Sequence, residues 1–133
     1  MGIMVEQSLK SSRSKRRVVI IDDEPAFVET LTKMLSGLTY EVKVSKDSKS
    51  SFTFDVSDDD IVFLDVLMPH TPGHRVLEQL ARQQAKCAII MMSGSADRLD
   101  AAKKYAESLE LNLVGALQKP FRLADVRDVL EGI

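Results

Sequence analysis

The sequence predicts an α/β domain built on a doubly wound, five-stranded parallel sheet. Three observations carry that prediction. Short apolar, largely β-branched runs recur along the chain, among them Val18-Val19-Ile20-Ile21, Ile61-Val62-Phe63-Leu64 and Ala88-Ile89-Ile90-Met91-Met92. Strands buried on both faces of a parallel sheet have this character. Segments with apolar residues at helical spacing separate the runs, and strand–helix alternation is the pattern of parallel crossovers. The chain has 133 residues, enough for one domain with a sizeable core and too few for two.

Each element follows in order. The first run, residues 18–21, ends at Asp22-Asp23. Phe27, Leu31, Met34, Leu35 and Leu38 then repeat at helical spacing, which predicts a helix over 26–37. Pro25 suits its first turn, where a missing N–H costs little, and Gly37 suits its end. Val42 and Val44 alternate with Lys43 and Ser45, the pattern of a half-exposed strand at a sheet edge. Alternation then asks for a short helix within residues 47–58, although the serines and β-branched residues there disfavour one. The third strand, 61–64, ends at Asp65. Val76, Leu77 and Leu80 predict a helix over 73–84. The fourth strand, 88–92, ends at Ser93, and Leu99, Ala102, Ala106 and Leu109 predict a helix reaching about residue 110. The fifth strand, 113–117, runs into Lys119-Pro120, and Leu123, Val126 and Leu130 close the chain as a helix. Right-handed crossovers restrict the arrangement. The flavodoxin-like (βα)5 order 2-1-3-4-5 places the Val42–Val44 strand on an edge and buries the other runs.

Composition excludes several classes of function. Apolar residues make up 44% and charged residues 29%, which is ordinary for a globular domain and unlike a disordered chain. The single cysteine, Cys87, excludes an internal disulfide framework and a multi-cysteine zinc site, and a reducing cytoplasmic location is the simplest fit. Cys87 itself is expected to be an inert thiol, and Met91-Met92 to be core packing. No apolar run has the length of a membrane helix, and Met1–Val5 leads into no signal-peptide core. Net charge is −2 and tryptophan is absent, so neither a basic surface nor stacking platforms for nucleic acid are expected. Charge is uneven, however. Residues 1–17 carry +4 and four serines, and residues 1–16 are expected to be a flexible basic tail ahead of a folded domain over 17–133.

In open α/β sheets the functional site lies beyond the carboxyl ends of the strands. Four of the predicted strands end in groups that carry chemistry: Asp22-Asp23, Asp65, Ser93 and Lys119. Each residue alone has an ordinary structural explanation, as a helix cap, a turn residue or a surface lysine. Their joint placement at four strand ends does not. Three neighbouring carboxylates repel one another, and a hard divalent cation relieves the repulsion. Mg2+ at such a site would stabilise a transferring phosphoryl group. A carboxylate can then act as the nucleophile, with the lysine and the hydroxyl holding the remaining phosphoryl oxygens.

Over about residues 17–131 the chain resembles the receiver domain of two-component response regulators. Val-Val-Ile-Ile-Asp-Asp-Glu-Pro (18–25), Phe-Leu-Asp-Val-Leu-Met-Pro-His-Thr-Pro-Gly (63–73), Met-Ser-Gly (92–94) and Lys-Pro-Phe (119–121) carry the resemblance, in that order. The resemblance implies that Asp65 is the phosphoacceptor. It implies that Asp23 and Asp65 bind Mg2+ directly, that Asp22 does so mainly through water, and that the backbone carbonyl of Leu67 is a further ligand. Ser93 takes the place of the switch hydroxyl, and Lys119 pairs with the phosphoryl group. Lys119-Pro120 would be a cis peptide, Gly94 would leave room for the phosphate, and Gly73 would open the helix after the third strand. The implied partner is a sensor histidine kinase or a histidine phosphotransfer protein. An output domain outside this chain is possible on the same grounds. The receiver would catalyse only its own phosphorylation and dephosphorylation.

Three positions depart from the family's pattern. Ala116 stands where a switch aromatic is usual, so coupling through an aromatic rotamer is not available. Leu67, two residues after the phosphoacceptor, is apolar and would hinder an attacking water. Ser93 and Lys119 are 26 positions apart, a few more than in many receivers, and the extra length is expected in the helix between them. The segment Leu99–Gly115, followed by Ala-Leu-Gln-Lys-Pro-Phe, is similar to receivers fused to EAL-type cyclic-di-GMP phosphodiesterases. His70 and His74 are expected to be exposed loop residues. Two other functions are weighed against the phosphorylation switch. One is a phosphate-independent interaction module, favoured by Ala116. The other is a small phosphatase, disfavoured because Leu67 stands where such an enzyme would carry a second aspartate.

Overall fold

In the computed structural model, residues 16–45, 54–68 and 72–133 are described. Five strands form one parallel sheet: β1 (Arg17–Ile21), β2 (Glu41–Ser45), β3 (Ile61–Asp65), β4 (Ala88–Ser93) and β5 (Leu113–Gln118). Their order is β2-β1-β3-β4-β5, as the sequence predicts. Four helices accompany them among the described residues: α1 (Pro25–Gly37), α2 (Gly73–Arg82), α3 (Ala96–Ser108) and α4 (Leu123–Glu131). The expected basic tail (1–15) and most of the region where a short helix was expected (46–53) lie outside the described residues, as does His70. Residues 54–60 are not helical, and His74 is exposed on α2.

The sheet is covered on both faces. Alternate side chains of each central strand point to opposite sides. Val19, Ile21, Val62, Leu64, Ile89 and Met91 face one way, packing with Val76, Leu77 and Leu80 of α2 and Leu99 and Ala106 of α3. Val18, Ile20, Phe63, Ile90 and Met92 face the other way, against Leu31 and Leu35 of α1 and Val126 and Leu130 of α4. This is why the β3 and β4 segments are apolar without alternation: all their residues are buried. Strand β2 has a neighbour on one side only and keeps its polar alternation. Cys87 is buried just before β4, and burial pushes its thiol up to about 11, which makes it inert as expected.

Helix ends depart from the expected signals in an informative way. Gly37 is the last helical residue of α1, but the left-handed residue beyond it is Thr39, with φ 68°. Tyr40 N–H donates to Leu35 O at 3.1 Å and Thr39 N–H to Ser36 O at 3.1 Å, a Schellman closure. Gln84 (φ 55°) ends α2 and Glu110 (φ 60°) ends α3 in the same way. None of the three is glycine, so the left-handed conformation is imposed by the closing hydrogen bonds and by packing. These turns stop α2 at Arg82 and α3 at Ser108, two residues short of the predicted ends.

The start of α2 requires glycine. A Cβ on Gly73 would stand 2.7 Å from the Cα of Val66. The absence of a side chain lets α2 begin against the backbone that leaves β3, one residue after Asp65.

At the amino ends of the strands an ion pair joins β1 to β3. Arg17 donates from Nη2 to Asp60 Oδ2 at 2.5 Å and from Nε to Oδ1 at 3.1 Å. Asp60 is buried, and its Oδ2 also accepts from Ser57 N–H at 2.7 Å. Arg17 is held above its ordinary pKa, chiefly by this hydrogen bond, with burial opposing.

Candidate functional site

The sheet reverses its winding between β1 and β3, and the carboxyl ends of both strands open at that point. Asp22 follows β1 directly, and Asp65 is the last residue of β3. Both carboxylates are buried, whereas Asp23 is half-buried. Asp22 does not cap α1, whose N-cap is Glu24. Its Oδ1 instead accepts from Glu24 N–H at 2.9 Å, which ties the carboxylate to the loop entering the helix. Asp65 Oδ1 accepts from Leu67 N–H at 3.0 Å, an aspartate turn that leaves Oδ2 for another partner. Asp22, Asp23 and Asp65 each present an oxygen, and these three oxygens lie within 4.8 Å of one another.

Lys119 reaches the cluster from the end of β5. Its Nζ donates to Asp22 Oδ2 at 2.9 Å and to Asp65 Oδ2 at 3.4 Å. The Lys119-Pro120 peptide is cis, as expected. Burial depresses the ammonium's pKa, but the hydrogen bond to Asp22 and the charges of Asp65, Asp22 and Glu24 outweigh it, so Lys119 sits above its ordinary value. Asp65 is also raised. Burial is the largest cause and the charge of Asp22 adds to it, while the Leu67 N–H and Lys119 pull the other way. One ammonium against three carboxylates leaves two negative charges uncompensated, which suits a divalent cation with oxygen ligands.

Ser93 closes β4, fully buried, beside the site. Its Oγ accepts from Ser95 N–H at 3.1 Å, and its carbonyl accepts from Lys119 N–H at 2.8 Å. Among the described residues it makes no hydrogen bond to the carboxylates, so contact with a group on Asp65 requires the hydroxyl to turn. Space exists for such a group, since a Cβ on Gly94 would meet nothing within 4 Å. Leu67 is half exposed at the mouth of the site. Ala116 is half-buried against the α2–α3 side of the core.

A cavity of about 520 Å³ adjoins the acidic cluster, bounded by Phe27, Leu31 and Met34 of α1, by Leu67, and by Pro120 and Phe121 after β5. Asp65 and Lys119 stand in its wall. Sequence reasoning missed one member of this site. Phe27 fits the apolar stripe of α1 and is expected in the core, yet its ring lies under the ammonium of Lys119, 3.9 Å from Nζ to centroid. No spacing in the sequence signals that contact.

Comparison with known proteins bears on the family and the fold. The family model described as "Response regulator receiver domain" matches residues 18–131. A "Probable transcriptional regulator ycf27" of Galdieria sulphuraria is 33% identical over 110 residues, covering 82% of this chain and 41% of that protein. "Response regulator MprA" of Mycolicibacterium vanbaalenii is 29% identical over 111 residues, covering 83% of this chain and 46% of that protein. The chain thus spans less than half the length of these curated relatives. The crystal structure of a response regulator from Colwellia psychrerythraea superposes with a TM-score of 0.78 at 25% identity, covering 88% of this chain and 94% of that one. The Vibrio cholerae chemotaxis protein CheY4 superposes at 0.69 with 20% identity, covering 87% and 96%, and bears on the fold alone. Among the described residues, no helix is long and apolar enough to cross a membrane.

Proposed function

The chain belongs to the response regulator receiver domain family, and from that premise we propose that it is a phosphorylation-dependent signalling switch with Asp65 as phosphoacceptor. The observation that carries the proposal is the convergence of Asp22, Asp23 and Asp65 within 4.8 Å, with Lys119 bonded to two of them. A histidine kinase or phosphotransfer protein presents phosphohistidine. A carboxylate oxygen of Asp65 attacks phosphorus, an O–P bond forms, and the P–N bond breaks with its electron pair leaving on the imidazole. Asp23 and Asp65 directly, Asp22 mainly through water, and the Leu67 carbonyl would hold a Mg2+ that supplies charge neutralisation for the transferring group. Lys119 follows the negative charge from the carboxylate to the phosphoryl oxygens, and Ser93 Oγ leaves Ser95 N–H to reach one of them. The chain turns over no substrate besides its own aspartyl phosphate.

With Ala116 in place of an aromatic, the change is carried by backbone and helix shifts around α3 and α4 or by another side chain. Those shifts alter affinity for a downstream partner only as far as the two states differ in contact free energy. A cytoplasmic setting and an output domain beyond this chain fit this reading.

Intact mass after incubation with acetyl phosphate tests the proposal. The parent gains one phosphoryl group, about 80 Da, only when Mg2+ is present, and Asp65→Ala gains none. No gain from acetyl phosphate or from a phosphorylated kinase would favour the phosphate-independent module instead. A second expectation concerns Leu67, whose apolar side chain stands half exposed at the mouth of the site and would hinder an attacking water. Leu67→Asn should dephosphorylate roughly two- to tenfold faster, the rate equivalent of about one hydrogen bond to the attacking water. Decay of the phosphorylated mass peak measures this, and equal or slower loss from the variant rejects it.

A further inference from the structure

The ammonium of Lys119 has three directions to satisfy and is largely buried. Two of them are taken by Asp22 Oδ2 and Asp65 Oδ2. The third side faces the ring of Phe27 at 3.9 Å. That ring is itself braced, with Phe121 meeting it edge-on at 83° and 5.4 Å between centroids. Without the ring, this side of the ammonium would open into the cavity beside α1, where water could take its place.

We propose that Phe27 is a positioning residue for Lys119. This rests on the reading of Asp65 as phosphoacceptor. The ring's negative face attracts the ammonium without offering a lone pair of fixed direction. A carboxylate or hydroxyl in the same place would hold Nζ in one position by a directed hydrogen bond. Over the ring the cation can slide by an ångström or so and keep its partner. Such freedom is what Lys119 needs when negative charge moves outward from the Asp65 carboxylate to phosphoryl oxygens. Phe27 thereby keeps the lysine aimed at the site, dry on its cavity side, in both states. Its action on the site runs through the ammonium of Lys119.

The test is a double-mutant cycle read by the rate of phosphorylation with acetyl phosphate at saturating Mg2+. Phe27→Leu in the parent background should slow phosphorylation about three- to tenfold, the range of a partly desolvated cation–π contact. Phe27→Tyr, which keeps the ring, should restore it. In a Lys119→Met background, Phe27→Leu should change nothing, because there is no cation left to position. Equal slowing in both backgrounds would mean a purely structural role and overturn the proposal. A second readout needs no activity and no variant that could misfold. Ring current from Phe27 should move the Hε signals of Lys119 upfield of the other lysines in the parent's NMR spectrum. Unshifted Lys119 signals overturn the positioning role, whatever the kinetics show. A parent that takes no phosphoryl group from any donor, yet shows the upfield shift, overturns the reading of Asp65 and leaves the Phe27–Lys119 contact standing.

Discussion

Arg17→Ala is expected to lower the thermal midpoint by roughly 10 °C while leaving the proposed phosphoacceptor site intact. The cost arises at Asp60, not at the arginine. Asp60 is 4% exposed, and truncating its partner leaves a buried carboxylate with Ser57 N–H as its one donor among the described residues. Breaking a buried pair from one side costs about 3–5 kcal/mol. The low end applies here, since the Arg17 side chain remains 25% exposed and water can enter where it was. Asp60→Asn should cost less, because an amide oxygen can still accept from Ser57 N–H and no buried charge remains. The pair ties the amino ends of β1 and β3, opposite the carboxyl ends where Asp22 and Asp65 stand. Phosphorylation of the folded Arg17→Ala protein should therefore proceed at the parent's rate. Thermal melts and acetyl phosphate kinetics on the two variants and the parent check both halves, and a loss below about 1 kcal/mol would show that the pair is effectively solvated.

Asp65→Asn is expected to reverse its rank against the parent when Mg2+ is added. The Asp65 carboxyl lies above its ordinary range, mainly through burial. A carboxyl raised in the folded state binds its proton more tightly there than in the unfolded chain. The stability it contributes is complete below the unfolded pKa, about 3.9, and is lost as pH rises through the folded value. At neutral pH and without metal, the ionised Asp65 is thus a liability, and Asp65→Asn should melt a few degrees higher than the parent. The gap should close as the solution is acidified. Mg2+ bound at the proposed site would act the other way. It would stabilise the parent by about 2.7 kcal/mol at a hundred times its dissociation constant, and the asparagine variant should lose most of that gain. Melting curves at pH 7, with chelator and with excess Mg2+, display the reversal. A variant less stable than the parent in chelator would contradict the electrostatic account of this site.

Both results turn on contacts with different degrees of visibility in the sequence. The acidic site was legible because each of its members follows an unmistakable strand. Val18–Ile21, Ile61–Leu64 and Ala88–Met92 read as buried strands, which places Asp22, Asp65 and Ser93 at strand ends on the carboxyl edge of the sheet. The Arg17–Asp60 pair was not legible. Arginine and aspartate are ordinary surface residues, and nothing local marks these two, 43 positions apart, as partners. The same holds for Phe27, whose place in the apolar stripe of α1 gives no sign that one face of its ring carries a cation.

The sheet, its order, the helices that carry apolar periodicity and the four strand ends at the site are legible in the chain's local pattern. These depend on local periodicity and on general rules of parallel crossovers, both of which are written in consecutive residues. Which groups meet is a matter of packing across the whole domain. Lys119 chooses Asp22 across 97 positions and Asp65 across 54. Thr39, Gln84 and Glu110 take left-handed conformations that their own preferences disfavour, because the Schellman hydrogen bonds and the packing beyond each helix require it. Gly37, the residue local chemistry favours for that turn, stays helical. Local propensities differ by a fraction of a kcal/mol to about one, whereas a buried charge without a partner costs several, so the packed core settles what the chain alone leaves open.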